Sequence, residues 1–509
     1  MGEIVTIVVA IILMVFLLIK EYLRPGVILF SVVIVLLAAG ILSPTDALAG
    51  FSNKGMITVA LLFLVSEGIR CSQCLSPIMC RLFPSHAGCS VTRGYLSIVP
   101  TVAFISAFLN NTPIVVIFIP HIKTWCRRVG LGVKKFLIPL SYAAILGGMC
   151  TLIGTSTNLV VHGLMLDAGL EGFTMFELGK VGAIIAVVGV GYMVLFIRHL
   201  LPDDTHREIQ SHNRHIVEVI LSPRFPGIGC TTEQFSFHEH YGSEIISVRR
   251  DGELIDELDG YSYKENDTLL LSAHRNFVDI WGSSRIFIIT TNGTEHNHPS
   301  PRWKRWLSLL LLIVMILGAS LSEQPFMRHI FGDICPDMFF WAAVVAIIMA
   351  FCNIFPAKSY TKFISWDILI TIASALAISR AMTLSGLADI AASAILSASH
   401  TLSPRTALAL IYIITNIITE LITNNAAAAF AFPIAISAAT KLSVSPMPFC
   451  VAIAIAASAS FCTPIGYQTN TIVQGLAGYS FKDFIRSGLP LTVITFVISM
   501  IFIPIFWSF

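Results

Sequence analysis

Twelve apolar runs divide the 509 residues, six on each side of a polar central stretch. The first six are Ile4 to Ile19, Val27 to Leu42, Ile57 to Val65, Tyr95 to Leu109, Phe136 to Ile153 and Val181 to Ile197. The second six are Trp306 to Leu321, Phe339 to Phe351, Ile368 to Ile378, Ala407 to Ile418, Phe449 to Phe461 and Leu491 to Phe506. Segments of this kind need lipid as their solvent, and in lipid the backbone must satisfy its own hydrogen bonds, so an all-α polytopic membrane protein is expected. Several runs fall short of the ~20 residues of a straight spanning helix, or are interrupted by Gly, Pro and Asn. Those interruptions carry the functional information.

Composition agrees. Hydrophobic residues make up 55% of the chain and charged residues 12%, with mean hydropathy +0.80. Ordinary soluble domains carry about 25% charged residues, which excludes a soluble enzyme. The acids are also unevenly placed: 16 of the 30 lie between Asp203 and Glu295, against 9 Lys or Arg from Arg207 to Arg302, a local net charge of about −7. The overall +2 hides a hydrated domain inside an apolar body. No basic surface or nucleic-acid motif is present, so DNA or RNA is not an expected partner. The first run follows Glu3 without a basic region, and no A-x-A site comes after it, so a retained helix is expected in place of a cleaved signal.

Positive charge beside the spans sets the direction. Lys123, Arg127, Arg128, Lys134 and Lys135 cluster in one loop, which is expected to be cytoplasmic. Arg198, Arg302, Lys304 and Arg305 flank the polar domain, and Lys358, Lys362, Lys482 and Arg486 mark later loops on that side. The loop with Asp167, Glu171 and Glu177 goes outside. Alternation then puts the N-terminus outside, with Lys20 and Arg24 inside, in a plasma (inner) membrane protein.

The two halves match. Phe108-Leu-Asn110-Asn111-Thr112-Pro leads to Pro120, and Ile422-Thr423-Asn424-Asn425-Ala leads to Pro433, each Pro nine positions after the motif Asn. Ile153-Gly154-Thr-Ser-Thr-Asn158 answers Ile465-Gly466-Tyr-Gln-Thr-Asn470, at intervals of 47 and 46 from Asn111 and Asn424. With the loop after Pro120 inside and the one after Pro433 outside, the units run in opposite directions, an inverted-topology repeat of the kind that secondary transporters use. Asn-Asn at membrane depth is costly unless the amides find partners or line a hydrated cavity. A re-entrant hairpin resolves this: its tip exposes carbonyls and the amide oxygens of Asn111 and Asn424, hard ligands for Na+, while helix N-termini offer N–H groups to an anion. Gly154 and Gly466 break their helices and free carbonyls for the ion. The plainer reading, helix-to-helix hydrogen bonding, accounts poorly for two motifs at matched spacing.

Weaker candidates surround these motifs. Glu420, one turn before Asn424, either supports the hairpin or carries a proton, and support is expected. Arg70 and Arg380 are placed to attract an anion, against snorkelling or loop pairing, which is the expected role. Ser106 and Thr419, five positions before each motif Asn, lend a hydroxyl to a cation or back-bond to their helices. Cys71-x-x-Cys74, with Cys80, Cys89 and His86, begins a zinc or redox pattern that no second pair completes, so packing is the expected role.

These motifs resemble the divalent anion:sodium symporter family of the ion transporter superfamily, over nearly all of the membrane portion. In that family a Ser-Asn-Thr tripeptide tips each hairpin, and it maps onto Asn110-Asn111-Thr112 and Thr423-Asn424-Asn425. The resemblance implies a first Na+ site at Ser106, Asn110, Asn111 and the Gly154 carbonyl. It implies a second at Thr419, Asn424 and the Gly466 carbonyl. The anion is implied to contact Asn110, Asn111, Thr112, Asn158, Thr423, Asn424, Asn425 and Asn470. The usual Pro-Pro before Asn158 and Asn470 is replaced by Ser156-Thr157 and Gln468-Thr469. The Asn-Asn-Thr-Pro form is more like the sulfate-transporting branch, which carries cytosolic inserts.

The expected domains are a first transmembrane repeat at 1–200, a cytosolic insert at 201–303 and a second repeat at 304–509. In the insert, Ile216 to Leu221, Glu244 to Arg249 and Thr268 to Ser272 are expected strands, with Asp251-Gly252 as a turn. Tyr241-Gly-Ser-Glu-Ile-Ile-Ser-Val-Arg-Arg-Asp-Gly and Asn266-Asp-Thr-Leu-Leu-Leu resemble an RCK-C (TrkA-C) domain, which implies a small ββαβ-type unit, a homodimer and a nucleotide as possible ligand. His206, His212, His215, His238 and His240 follow no metal spacing and are expected as solvated surface residues. The expected function is Na+-coupled uptake of a divalent oxyanion, sulfate before dicarboxylate or citrate. A cation conduit gated by the insert would need a T-V-G-Y-G filter. An intramembrane enzyme would need an H-E-x-x-H or G-x-S-x-G motif. Neither pattern occurs.

Overall fold

The structure, a computed structural model, describes residues 2–20, 22–72, 74, 82–83, 90–202, 214–221, 225–232, 234–250, 253–255, 261–265, 267–274, 287–289, 301–322, 336–398 and 403–509. The chain divides into two compact units, Met1–Asp203 with Ser300–Phe509, and Asp204–Pro299.

The larger unit is helical. Its first half contains α1 (Gly2–Ile19), α2 (Pro25–Ala38), α3 (Pro44–Ala49), α4 (Lys54–Ser72), α5 (Val91–Ser106), α6 (Asn111–Val129), α7 (Lys134–Gly148), α8 (Ser156–Asp167) and α9 (Gly179–Tyr192). The last continues through a wider π turn at Met193–Ile197. In the second half, α11 (Arg302–Leu321) and α12 (Met338–Phe351) precede α13 (Trp366–Leu384), α14 (Leu387–Ala398), α15 (Pro404–Leu421), α16 (Asn424–Leu442), α17 (Met447–Ser458), α18 (Gln468–Ala477) and α19 (Phe481–Phe506). Among the described residues, six helical segments are long and apolar enough to cross a membrane. Ile12, Leu195, Leu317, Phe351 and Ile505 are each more than half exposed, as apolar side chains are where lipid is the solvent.

The inner helices differ from these. Every residue from Phe136 to Gly148 in α7 is buried, as is every residue from Pro448 to Ser458 in α17 and from Asn424 to Pro433 in α16. Packing repeats in matched pairs: α5 lies on α7 as α15 lies on α17, while α2 contacts α13 and α4 contacts α12. The first turns of α6 and α16 cross to the other half, α6 meeting α18 and α16 meeting α8.

Two apolar runs end early. The expected run to Ile153 stops being helical at Gly148, and the run to Phe461 stops at Ser458. In each, an Asn seven and ten residues downstream holds the freed carbonyls, as described below. The helix Leu387–Ala398 was absent from the twelve runs because Asp389 and small residues interrupt its hydropathy.

The smaller unit has α10 (Phe237–Tyr241) and strands β1 (Arg214–Leu221), β2 (Glu244–Arg250), β3 (Glu253–Ile255), β4 (Thr268–His274) and β5 (Phe287–Ile289). They form one sheet in the order β3-β2-β4-β1-β5, with every pair antiparallel. The three expected strands therefore exist and two further strands join them, but among the described residues the order is β1-α10-β2-β3-β4-β5, with the helix after the first strand and not after the second as in the expected ββαβ pattern. Asp251-Gly252 and Asn266 lie outside the described residues. Phe225, Phe237, Tyr261, Tyr263 and the inward residues of β1 and β4 form its core. Asp267 is almost wholly buried, and its carboxylate accepts from Arg250 Nε and Nη2, both at 2.7 Å, and from Lys264 N at 2.9 Å. Burial alone would raise its pKa, but the hydrogen bonds from Arg250 and Tyr261 outweigh that and hold the carboxyl below its ordinary value.

Candidate ion and anion sites

Both motif asparagines begin a helix, α6 at Asn111 and α16 at Asn424, and both are buried. Around Asn111 stand the Ser106 hydroxyl at 2.7 Å, the Ala144 carbonyl at 2.9 Å and the Gly154 carbonyl at 3.2 Å, all from one end of its amide. Tyr467 Oη bonds the other end. Around Asn424 stand Thr419 Oγ1 at 2.7 Å, the Gly466 carbonyl at 2.8 Å and the Ala457 carbonyl at 3.2 Å. The structure thus brings Ser106, Asn111 and Gly154 together, and separately Thr419, Asn424 and Gly466. An amide can turn either end inward without changing shape. With nitrogen inward its two N–H groups donate to two of the three surrounding oxygens. With oxygen inward it accepts from the Ser106 or Thr419 hydroxyl and, with that hydroxyl and the two carbonyls, makes a set of four oxygens suited to a cation.

Broken helices place the carbonyls. Asn158 donates to Gly148 O at 3.2 Å and Thr151 O at 2.8 Å, and Asn470 donates to Ser460 O at 3.0 Å and Thr463 O at 3.1 Å. These amides replace the helical ladder and fix the non-helical stretches 149–155 and 459–467. A Cβ on Gly154 would stand 2.5 Å from Gly148 O, and one on Gly466 would stand 2.5 Å from Thr419 O, so only glycine lets these backbones approach. Glu420 adds a clamp in the second half: Oε1 accepts from Phe461 N at 2.9 Å and Cys462 N at 2.8 Å. Thr463 Oγ1 donates to the Glu420 carbonyl at 2.8 Å.

Beside the clusters lies a cavity of about 360 Å³. Its wall includes Asn110, Thr112, Ser156, Thr157, Thr423, Asn424, Asn425 and Gln468, together with Glu67, Arg70 and Asp367. Four helices, α6, α8, α16 and α18, begin at this wall, and none has a side-chain hydrogen bond from its N-cap residue, Asn110, Thr155, Thr423 or Tyr467. Four helix N-termini therefore border one space, a setting suited to an anion. The Thr423 hydroxyl is buried without a hydrogen-bond partner, a donor left for a ligand. Thr112 Oγ1 meets Gln468 Oε1 at 3.3 Å, and Ser156 Oγ meets Asn425 Oδ1 at 3.2 Å, so each half completes the other's rim.

Several expectations are revised. Asn158 and Asn470 were expected at the anion, but neither lines the cavity, and their amides are consumed in holding the chain breaks. Asn110, expected at both the first ion and the anion, lines the cavity, whereas Asn111, also expected at both, does not. Arg380 bonds Asp46 at 2.6 Å, whereas Arg70 lines the cavity and bonds Glu67 through Nε and Nη2 at 2.8 and 2.6 Å. Cys71 Sγ donates to Glu67 at 3.2 Å and Cys74 Sγ to Ile69 O at 3.8 Å. Cys80, Cys89, His86, His206 and His212 lie outside the described residues, as does the His215 side chain. Sequence reasoning missed the carbonyls of Ala144 and Ala457, which carry no side-chain signal, and Tyr467, whose one clue was its place after Gly466.

Comparison with known proteins agrees with this architecture. A family model described as a citrate transporter matches residues 8–334 and 330–509. An uncharacterized transporter of Synechocystis is 28% identical, covering 91% of this chain and 90% of that protein. The uncharacterized transporter YfbS of Escherichia coli is 24% identical, with 96% of each chain covered. Sodium/sulfate cotransporter 1 of Chlamydomonas reinhardtii is 34% identical over 44% of this chain and 26% of its own length.

Proposed function

The chain belongs to the citrate transporter family and is a membrane transporter of the divalent anion:sodium symporter type, and on that premise we propose that it couples inward Na+ movement to uptake of a divalent anion, with sulfate preferred over dicarboxylate. The observation that carries this reading is the pairing of two four-oxygen clusters, at Asn111 and Asn424, with one cavity that receives four uncapped helix N-termini. Cations in the clusters offset the charge of the anion beside them, so neither loads well alone. Asn110, Thr112, Thr423 and Asn425 present neutral donors that enclose a compact tetrahedral oxyanion. The relatives named as sodium/sulfate cotransporters favour sulfate and Na+.

The two halves are read as inverted repeats, with α5–α6 and α15–α16 as re-entrant hairpins whose tips are the Asn motifs. Matched contacts around Asn158 and Asn470 support this. The wall residues Pro25, Phe363 and Ser365 adjoin Arg24, Lys358 and Lys362 in sequence, charges that mark the cytoplasmic side, so the cavity is read as open inward. The polar unit is read as a cytoplasmic regulatory insert in a homodimer with its N-terminus outside. The relatives named above give no support for a nucleotide at this insert.

Radiolabelled sulfate uptake into proteoliposomes tests it. Uptake should follow an inward Na+ gradient, and unlabelled sulfate or thiosulfate should compete more strongly than succinate or citrate. The family description gives citrate as the alternative, and the reverse order of competition would establish it.

A further inference from the structure

Tyr467 joins the two clusters. It follows Gly466, whose carbonyl belongs to the Asn424 cluster, yet its hydroxyl crosses to the first half and bonds the Asn111 amide. The same hydroxyl bonds Thr155 Oγ1 at 2.8 Å, and Thr155 follows Gly154, whose carbonyl belongs to the Asn111 cluster. Thr155 and Tyr467 occupy equivalent places in the two motifs and meet each other. Each supplies the nitrogen of the planar peptide unit whose carbonyl faces an ion cluster. A movement of either residue that carries its backbone nitrogen therefore moves the carbonyl of the residue before it.

We propose that Tyr467 and Thr155 form a hydrogen-bond relay that couples cation binding at the Asn111 cluster to cation binding at the Asn424 cluster. This rests on the Na+-coupled reading of those clusters. Without a cation, the Asn111 amide turns its nitrogen to Ser106, Ala144 and Gly154 and its oxygen accepts from the Tyr467 hydroxyl. Tyr467 Oη then accepts from Thr155. A cation at the first cluster draws the amide oxygen inward, which brings the amide nitrogen to Tyr467 as a donor. Tyr467 Oη now accepts from Asn111, and its proton turns to Thr155 Oγ1. No proton leaves any group; three rotors reverse together. Tyr467 is buried, so its hydroxyl must follow the amide or lose a partner, and that loss is costly in a dry site. The reversal favours one position of the Gly466 peptide, and so one state of the second cluster. In this role Tyr467 and Thr155 are positioning residues, since neither supplies an oxygen to a cluster.

The test measures Na+ binding to the purified full-length chain through thermal stabilisation, with K+ keeping ionic strength constant. Two coupled sites give a sigmoidal response whose Hill coefficient lies between one and two. Tyr467→Phe, which keeps the ring, should bring the coefficient to one and raise the half-saturating Na+ concentration about fivefold or more. Thr155→Val should do the same, and the double variant should be no worse than either single, because both remove one relay. Should one variant fail to fold, the other gives the same reading. A sigmoidal wild type whose coefficient is unchanged in the variants overturns the relay alone, as do additive effects in the double variant or a hyperbolic wild type. A wild type that ignores Na+ overturns the proposed function and the relay with it.

Discussion

The Asn111 and Asn424 clusters use the same parts and are supported differently. Each has a hydroxyl five residues upstream, an amide at a helix start, a carbonyl from the next inner helix and the carbonyl of a motif glycine. All four groups of the Asn424 cluster come from the second half, where Glu420 anchors the chain break and Thr419 donates to Ala457 O at 2.6 Å. In the first half Ala107 stands one turn before Asn111, where the second half has Glu420, and Thr151 bonds its carbonyl. The Asn111 cluster takes its outer partner, Tyr467, from the opposite half. Two matched motifs can therefore gather the same four groups while each finds its own scaffold. The second cluster is internally held, and the first depends on how the halves meet.

The largest effect is expected from removing the shared part. Asn111→Ala or Asn424→Ala should each lower apparent Na+ affinity by more than about 100-fold in the uptake assay, since even outer-shell changes at ion sites cost about 10- to 100-fold. Wild-type Na+ dependence in either variant would break the comparison at its base. Next comes the scaffold that only the second cluster has. Glu420→Ala should weaken Na+ activation about 10- to 100-fold by freeing residues 460–462, while Glu420→Gln should retain most uptake, because one amide oxygen can accept from both Phe461 N and Cys462 N. Loss of transport in well-folded Glu420→Gln would assign the carboxyl a charge-carrying role, and the two clusters would then differ in chemistry as well as in support.

A smaller effect should come from the anion wall. Thr423→Val removes the unpartnered hydroxyl and should raise the sulfate concentration for half-maximal uptake about tenfold, while Na+ activation in saturating sulfate stays near wild type. An equal shift in both would place Thr423 in the ion cluster. The smallest effect on either cluster is expected from the insert. Asp267→Ala leaves Arg250 without its buried partner and should destabilise the sheet by about 3 kcal/mol, read as an earlier melting step, without altering Na+-driven uptake. In the wild type, the depressed pKa of Asp267 means that its contribution is complete above the unfolded carboxyl value of about 3.9 and is lost as pH falls through the lower folded value. The melting step should therefore be insensitive to this group at neutral pH and fall in strong acid. Loss of sulfate binding in Asp267→Ala would make the insert part of the transport machinery.

Much of the site was legible in the residue order. Asn-Asn between apolar runs has few stable placements in lipid, and its recurrence, with a Gly-x-x-x-Asn motif 47 and 46 residues on, marked both motifs. Gly154 and Gly466 were legible because only glycine permits the backbone approach found there. The roles of Asn158 and Asn470 were not, since an amide that binds a ligand and one that clamps a carbonyl look alike in sequence. Glu420 was identified as a support, while its partners, two peptide nitrogens 41 and 42 residues later, follow from the path of the chain break.

The sequence by itself determined the helical membrane body, the separate strand-rich insert and the paired Asn motifs, because hydropathy, strand alternation and spacing are covalent patterns that lipid and water act on locally. Only the tertiary structure decided that the carbonyls of Ala144 and Ala457 complete the clusters, that four helix N-termini share one cavity and that Tyr467 reaches Asn111. A carbonyl belongs to every residue and is a candidate ligand only where a chain break turns it out of its helix, and two hydroxyls 312 residues apart become partners only when the halves pack together.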